Sequence, residues 1–285
     1  MDTVLITGGS GAFGHAFVRR LLTMETPPRR IVVFSRGEYR QFLMNKELWD
    51  LDTTGALRFL IGDVRDRERL RRAMEDVEVV IHAAALKRIE VGHYNPLEMV
   101  KTNIDGTANV VEAAKDARVK KVVYLSSDKA FQPISPYGIS KAMGEALVLT
   151  ANNTRGERGP RYAVTRYGNV AGSTGSVIPV WREILKTGDT VTVTDPEVTR
   201  FWMSMDAAVD LVLNTLNLMP PKEPVIPILP AYRLGDLAEA MGAKMDIVGL
   251  PPWEKLHESM DEYRSSDKAR RMTVEELRQA LSLLP

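Results

Sequence analysis

Short apolar runs, bounded by glycine and polar clusters, recur along the first two thirds of the chain with helical patterns between them. Thr3–Thr7 (TVLIT) is the first, followed by a glycine-rich turn and a helical pattern over residues 12–24. Further runs fall at 31–34, Leu57–Ile61, 77–82, 121–126 and 162–166. They are apolar at successive positions, as expected of strands covered on both faces by helices. Between the fourth and fifth runs, Leu97, Val100, Ile104, Ala108, Val111 and Ala114 follow steps of three and four. That spacing predicts one helix with a single buried stripe, opened by Pro96. Alternating strands and helices imply right-handed crossovers and an α/β fold with a doubly wound parallel sheet. Beyond about residue 170 the pattern loosens and prolines accumulate. The expected organisation is a first domain over 1–169 and a smaller C-terminal lobe over 170–285, with segments of the lobe free to return to the core. Residues 273–284 read as a short amphipathic helix.

Composition narrows the chemistry. The chain has 285 residues, 44% hydrophobic and 26% charged, with a net charge of +1. That balance points to neither nucleic acid nor a membrane surface as partner. The basic run over 65–72 reads as the solvated face of a helix. Cysteine is absent, which excludes disulfides, thiolate metal sites and a cysteine nucleophile. His15, His82, His93 and His257 have no metal-ligand spacing, so no metal is expected. No apolar run approaches the roughly 20 residues that span a bilayer. The sequence opens directly on a strand pattern without a signal-peptide profile, so a cytoplasmic enzyme is expected.

The turn after the first strand reads Gly8-Gly9-Ser10-Gly11-Ala12-Phe13-Gly14, a GxxGxxG spacing. The first glycine permits the tight turn, the second lets backbone approach a pyrophosphate, and the third packs helix on sheet. Following a strand and opening a helix, it marks a Rossmann dinucleotide site. The second strand ends Phe34-Ser35-Arg36, with Arg40 one turn on. A guanidinium suits the 2′-phosphate of NADP, and a carboxylate there would favour NAD. Glu38 nearby keeps NAD as the alternative. Asp63 and Val64 follow the third strand, and His82 and Ala83 end the fourth. His82 itself reads as a satisfied core histidine.

Tyr137-Gly138-Ile139-Ser140-Lys141 is YxxxK, which places both functional groups on one helix face. A lysine beneath the tyrosine lowers the phenol pKa, so that a phenolate can take a hydroxyl proton during hydride transfer. The fifth strand ends in Ser126-Ser127-Asp128-Lys129. An adjacent acid and amine exceed what a simple dehydrogenase needs. They suit removal of a carbon-bound proton and expulsion of water.

The segments AALK and NPLE, KTNI, LSSDKA, YGISKA, RYGNV, GSVIP, TRFWM and EKLHE occur in that order over nearly the whole chain. In this the sequence resembles the UDP-N-acetylglucosamine 4,6-dehydratases of the extended short-chain dehydrogenase/reductase class, especially the soluble C5-inverting type. The resemblance implies oxidation at C4 with Tyr137 as base, loss of the C5 proton to Lys129 and protonation of the leaving C6 hydroxyl by Asp128. It implies that Lys141 orients ribose and tunes Tyr137. NADP would lie against Gly8, Gly11, Ala12, Phe13, Gly14, Ser35, Arg36, Arg40, Asp63, Val64, Ala83 and Val170, besides Tyr137 and Lys141. A UDP-linked amino sugar would be held by Lys87, Asn169, Val177, Arg200 and Glu254. A dimer or hexamer is implied as well. Three features depart from the family. Pro251 stands where it has an arginine, Gly37 stands where aspartate is common, and the segment between EKLHE and the last helix is short. The exact nucleotide is therefore left open, with Arg233 and Arg264 as candidates for the missing charge. The competing readings are a 4-epimerase or ketoreductase sharing the YxxxK core, and a non-catalytic NADP(H)-binding protein.

Overall fold

A computed structural model describes residues 1–284; Pro285, the last residue of the expected second lobe, lies outside them. Six strands build the central sheet: β1 (Thr3–Thr7), β2 (Arg30–Ser35), β3 (Leu57–Ile61), β4 (Val79–His82), β5 (Lys121–Leu125) and β6 (Arg161–Thr165). All pair in parallel, in the order β3-β2-β1-β4-β5-β6. Strand order reverses between β1 and β4, which opens a crevice at the carboxyl ends of the strands. The helices of this half are α1 (Ala12–Leu22), α2 (Glu38–Leu48), α3 (Arg67–Ala73), α4 (Ile89–Tyr94), α5 (Pro96–Met99), α6 (Gly106–Asp116) and α7 (Pro136–Thr154). Side chains alternate between the sheet's faces. Val4, Ile6 and Val33 join Phe17 and Leu21 of α1 in one core, while Leu5, Val32 and Val80 join Val110 and Ala114 of α6 in the other.

Residues 96–116 depart from the expected single stripe. A π-helical turn, Val100–Asp105, joins α5 to α6 and rotates the buried face. Leu97 is 70% exposed and Val100 41%, whereas Met99, Thr102, Asn103 and Thr107 point inward. Val111 and Ala114 are buried as expected. In α3 the basic run is solvated, with Arg71 and Arg72 both reaching Glu68 and only Leu70 and Ala73 buried.

The second half contains β7 (Asn169–Val170), α8 (Val177–Ile184), β8 (Thr190–Val193), β9 (Thr199–Met203), α9 (Met205–Leu218), β10 (Ala231–Arg233), α10 (Leu234–Ala240), β11 (Lys244–Ile247) and α11 (Val274–Ser282). Strands β10, β9 and β7 form one small sheet, and β11 pairs with β8. Trp181, Trp202, Tyr232, Leu237 and Leu277 fill a separate core there. Helix α9 instead packs on α1, β5 and β6, and its Val209, Val212 and Leu216 join the first core. Helix α11 starts in a reciprocal capping box between Thr273 and Glu276. Among the described residues, no helix is long and apolar enough to cross a membrane.

Candidate active site

The carboxyl ends of the parallel strands and the second half enclose a cleft of about 1320 Å³. Every residue expected from the sequence to touch cofactor or substrate lines it. At one end lies the glycine-rich turn. Gly8 has φ +65°, and a Cβ there would sit 2.9 Å from the Ala84 backbone. A Cβ on Gly14 would fall 2.3 Å from the Gly9 carbonyl oxygen. Gly11 precedes α1 without any side-chain cap, so the first N–H groups of the helix are left for a ligand. Bare backbone and a helix N-terminus together can cradle a diphosphate.

The end of β2 is fixed by polar contacts. Ser10 Oγ donates to Ser35 Oγ at 2.9 Å, and Gln41 Nε2 reaches Ser35 Oγ at 2.9 Å and the Leu60 carbonyl at 3.0 Å. Arg36 and Arg40 line the cleft beyond, and both are exposed. Asp63 lies 3.8 Å from Arg36 and 2.6 Å from Arg65. Burial opposes ionisation of Asp63, but Arg65 outweighs it and the carboxyl is held below its ordinary range. This carboxylate is therefore already neutralised by a neighbour.

Buried polar groups tie the next segment to α7. Asn103 accepts from Leu86 N at 2.8 Å and donates to Leu86 O and Ser140 Oγ, both at 2.9 Å. That clamp sets the adjacent Lys87 at the cleft rim. Desolvation first, then Arg88, lowers the pKa of Lys87. His82 is a core histidine as expected: its ring nitrogens meet Thr7 Oγ1 at 2.7 Å and Thr107 Oγ1 at 3.0 Å.

The chemistry sits where β5 ends. Asp128 N donates to the Tyr167 carbonyl at 2.9 Å, and Ser127 Oγ accepts from Lys129 N at 3.3 Å, which folds Asp128–Ala130 into a short helical turn. Asp128 is 1% exposed. Its Oδ1 receives Ser127 Oγ at 2.9 Å and Lys129 Nζ at 3.3 Å. Lys129 Nζ also stands 3.2 Å from Glu258 Oε1. Burial acts against the ammonium, yet Asp128 and Glu258 prevail and hold the Lys129 pKa above its ordinary value. Helix α7 begins against this turn, capped by Ser135, and a Cβ on Gly138 would lie 2.3 Å from the Lys129 carbonyl oxygen. Tyr137 is thereby brought to the pair. Burial raises its phenol pKa, while Lys129 and Ser127 pull it back.

Lys141 behaves differently from the simple YxxxK picture. Its Nζ donates to the Leu125 carbonyl at 2.6 Å and lies 4.0 Å above the Tyr124 ring. Burial drives its pKa down to about 7, against the pull of Glu145. The cation acting on the Tyr137 phenol here is Lys129.

On the opposite wall, Arg200 is 4% exposed, with Nη2 2.6 Å from Glu254 Oε1 and Nη1 2.7 Å from the Thr199 carbonyl. Asn169 and Val177 face the same space. Arg233 is engaged by Asp236 and Glu197, and Arg264 by Asp261; neither lines the cleft, and neither does Pro251. Ser127, Arg88, Trp253, Lys255 and Glu258 do line it and were not singled out from sequence. The EKLHE segment held the signal for two of them, since it contains Lys255 and Glu258 as well as Glu254.

Comparison with known proteins places the chain in a family. The family model described as polysaccharide biosynthesis protein matches residues 4–280. A UDP-N-acetylglucosamine 4,6-dehydratase (inverting) of Campylobacter jejuni is 42% identical over 260 residues, spanning 90% of this chain and 76% of the relative. A UDP-glucose 4-epimerase of Rickettsia rickettsii is 39% identical over 266 residues, spanning 90% and 77% respectively. The crystal structure of Pen from Bacillus thuringiensis superposes with a TM-score of 0.92 at 34% identity, covering 99% of this chain and 98% of that one. The chain belongs to the polysaccharide biosynthesis protein family and is an enzyme of the hydro-lyase kind, akin to the UDP-N-acetylglucosamine 4,6-dehydratases.

Proposed function

We propose that this enzyme dehydrates a UDP-linked amino sugar, UDP-N-acetylglucosamine, to a 4-keto-6-deoxy product with NADP as a resident cofactor. The observation that carries the reading is the buried Asp128–Lys129 pair beside Tyr137, in a cleft whose other end is a glycine-rich turn. Arg36 and Arg40 favour NADP over NAD, and Asp63, the carboxylate beside Arg36, is neutralised by Arg65. The name of the Campylobacter relative supports the sugar nucleotide.

Bound nicotinamide supplies the hydride acceptor for C4 and the hydride donor for C6. Tyr137 takes the C4 hydroxyl proton as its phenolate, stabilised by Lys129 and Ser127. The C4 ketone acidifies C5–H; the Lys129 ammonium passes its proton to the Asp128 carboxylate, 3.3 Å away, and the neutral amine then takes the C5 proton. Asp128, in its acid form, gives a proton to the departing C6 hydroxyl, which leaves as water. The proton gained by Tyr137 balances the one lost by Asp128, and Ser127 touches both groups. Lys129 then returns a proton to C5. Lys87, Asn169, Val177, Arg200 and Glu254 hold the nucleotide and sugar, with residues 170–285 as the substrate-binding lobe.

Self-association and a cytoplasmic location belong to the same reading. Exposed Val91, Tyr94, Leu97, Val100, Ile139 and Met143, on neighbouring elements, support an oligomer, which sedimentation would reveal. The decisive experiment is incubation with UDP-N-acetylglucosamine followed by mass measurement. Loss of one water supports the dehydratase. A product of unchanged mass would make the protein a 4-epimerase, for which the Asp128–Lys129 pair has no use. No conversion together with retained NADP(H) would point to a non-catalytic binder.

A further inference from the structure

The elimination requires Lys129 to be neutral when it takes the C5 proton and cationic when it returns it. The structure holds that nitrogen between two carboxylates, Asp128 Oδ1 at 3.3 Å and Glu258 Oε1 at 3.2 Å. Asp128 comes from the same turn, but Glu258 arrives from the far end of the chain. It is 2% exposed, and its backbone N donates to Ser266 Oγ at 2.9 Å. Ser266 Oγ meets Thr199 Oγ1 on β9 at 2.6 Å, so Glu258 is anchored to a rigid strand. On the other side of its carboxylate, Oε2 lies 3.4 Å from Lys255 Nζ, which in turn donates to the Phe131 carbonyl at 2.8 Å. Arg200 from β9 and Tyr137 from α7 complete the charged and titratable groups acting on Lys129.

We propose that Glu258 is a positioning residue for the elimination: its carboxylate fixes the Lys129 nitrogen over the cleft and governs how readily that nitrogen gives up its proton, with Lys255 as counterweight. The assignment rests on the dehydratase reading for its chemical meaning, but the contact itself does not. Asp128 cannot serve this purpose alone, because the reaction needs it as a proton donor. As Asp128 takes up its proton, its pull on Lys129 falls, and Glu258 becomes the remaining anion that keeps the nitrogen in place. A carboxylate shared with Lys255 attracts Lys129 less strongly than an isolated one.

The test uses full-length wild type, Glu258→Gln, Glu258→Asp and Lys255→Met with two readouts. The first is competitive acetylation of Lys129 by acetic anhydride at pH 8, quantified by peptide mass against exposed lysines of the same chain. Removal of an opposite charge within about 4 Å shifts an ammonium by about one unit or more, so Glu258→Gln should raise Lys129 labelling about tenfold. Lys255→Met should lower it, and Glu258→Asp should restore it toward wild type. The second readout is the pH dependence of water loss from UDP-N-acetylglucosamine. In Glu258→Gln the acid limb of kcat should move to lower pH, with KM within about twofold, because only the base is retuned. Unchanged labelling in Glu258→Gln, or a fall in kcat with a fixed limb, overturns the proposal and leaves Glu258 a structural contact. If Glu258→Gln does not fold, Lys255→Met decides, and unchanged labelling there overturns it equally. If the wild type removes no water, the dehydratase reading fails, and labelling still decides the role of Glu258.

Discussion

Arg200 and Glu254, 54 positions apart in the chain, meet with 2.6 Å between Nη2 and Oε1. The contact joins β9 to the first residue of EKLHE, and both residues face the cleft. A pair that braces two walls around a bound nucleotide contributes equally to ground state and transition state. Arg200→Ala should therefore raise KM for the sugar nucleotide more than it lowers kcat. A double-mutant cycle with Glu254→Ala should return a coupling of about 0.5–3 kcal/mol, as residues in contact do. A pure kcat defect would place Arg200 in the chemistry instead.

Cofactor choice is tested at the end of β2. Arg36 is 58% exposed at its side chain and makes only a long 3.8 Å contact with Asp63. A phosphate would be its first close partner. Arg36→Ala should weaken NADP binding by about 1–3 kcal/mol, the range of a charge-assisted hydrogen bond, and leave NAD binding unchanged. Equal affinity of the wild type for NADP and NAD, by titration calorimetry, would remove the basis for the assignment.

The Asp128 and Lys129 assignments predict a separation of activity from cofactor binding. Asp128→Asn keeps the shape that accepts from Ser127 Oγ, and Lys129→Ala removes the amine that reaches the substrate. Each should reduce water loss by about 10²–10⁴-fold while NADP content stays at the wild-type level. Lys129→Ala should also melt at lower temperature, since it leaves Asp128 and Glu258 buried without their shared cation. Wild-type turnover in either variant would locate the elimination elsewhere.

Local sequence made most of this site visible. GxxGxxG, LSSDKA and YxxxK each place several functional groups within a few residues, and each follows a strand that its apolar run reveals. Two features were hidden for physical reasons. The π-helical turn Val100–Asp105 inserts an extra residue, and the face it buries is polar. Asn103 and Thr107 are buried because Leu86, Ser140 and His82 satisfy them, a condition that hydrophobic periodicity does not sense. Glu258 was hidden because its partner, Lys129, is brought to it only by the packing of the second half against β5. The pairing of Lys141 with Leu125 O rather than with the phenol was likewise beyond a rule based on helical spacing.

Acid stability should be governed first by His82. Burial, and then Lys141, push its folded-state pKa to about 3, against an ordinary value of 6.5. The sign is set by which state binds the proton. Below pH 6.5 the unfolded chain takes up a proton that the folded core refuses, so stability falls as pH falls toward 3. The slope from one such group approaches about 1.4 kcal/mol per pH unit. Carboxyls with lowered values, such as Glu68 and Glu258, lose their contribution only below their ordinary value of 4.5. Urea unfolding between pH 6 and 5 therefore isolates the histidine. His82→Gln, neutral throughout, should flatten the stability profile in that window. An unchanged slope would assign the acid sensitivity to another group.

The stereochemical outcome at C5 is the sharpest test of how the cleft handles its intermediate. After proton removal, C5 is planar and the ring is flattened by the C5–C6 double bond. The Lys129 nitrogen is held by carboxylates at 3.3 and 3.2 Å, which restricts its travel across the sugar. If that nitrogen also returns the proton, inversion requires the flattened ring to turn and present its other face. The resemblance of the sequence to the C5-inverting dehydratases is what puts this course to the test. The expected product is the 4-keto-6-deoxy sugar of the L-arabino series. In D₂O, proton NMR at the earliest measurable times should show deuterium at C5 and the couplings of the inverted ring. Couplings of the D-xylo product at those times, before slow epimerisation in solution, would mean that the ring stays put and the enzyme retains configuration. Glu258→Gln sharpens the same experiment. Loosening the Lys129 nitrogen should let it return the proton before the ring has turned, and raise the D-xylo fraction of the early product.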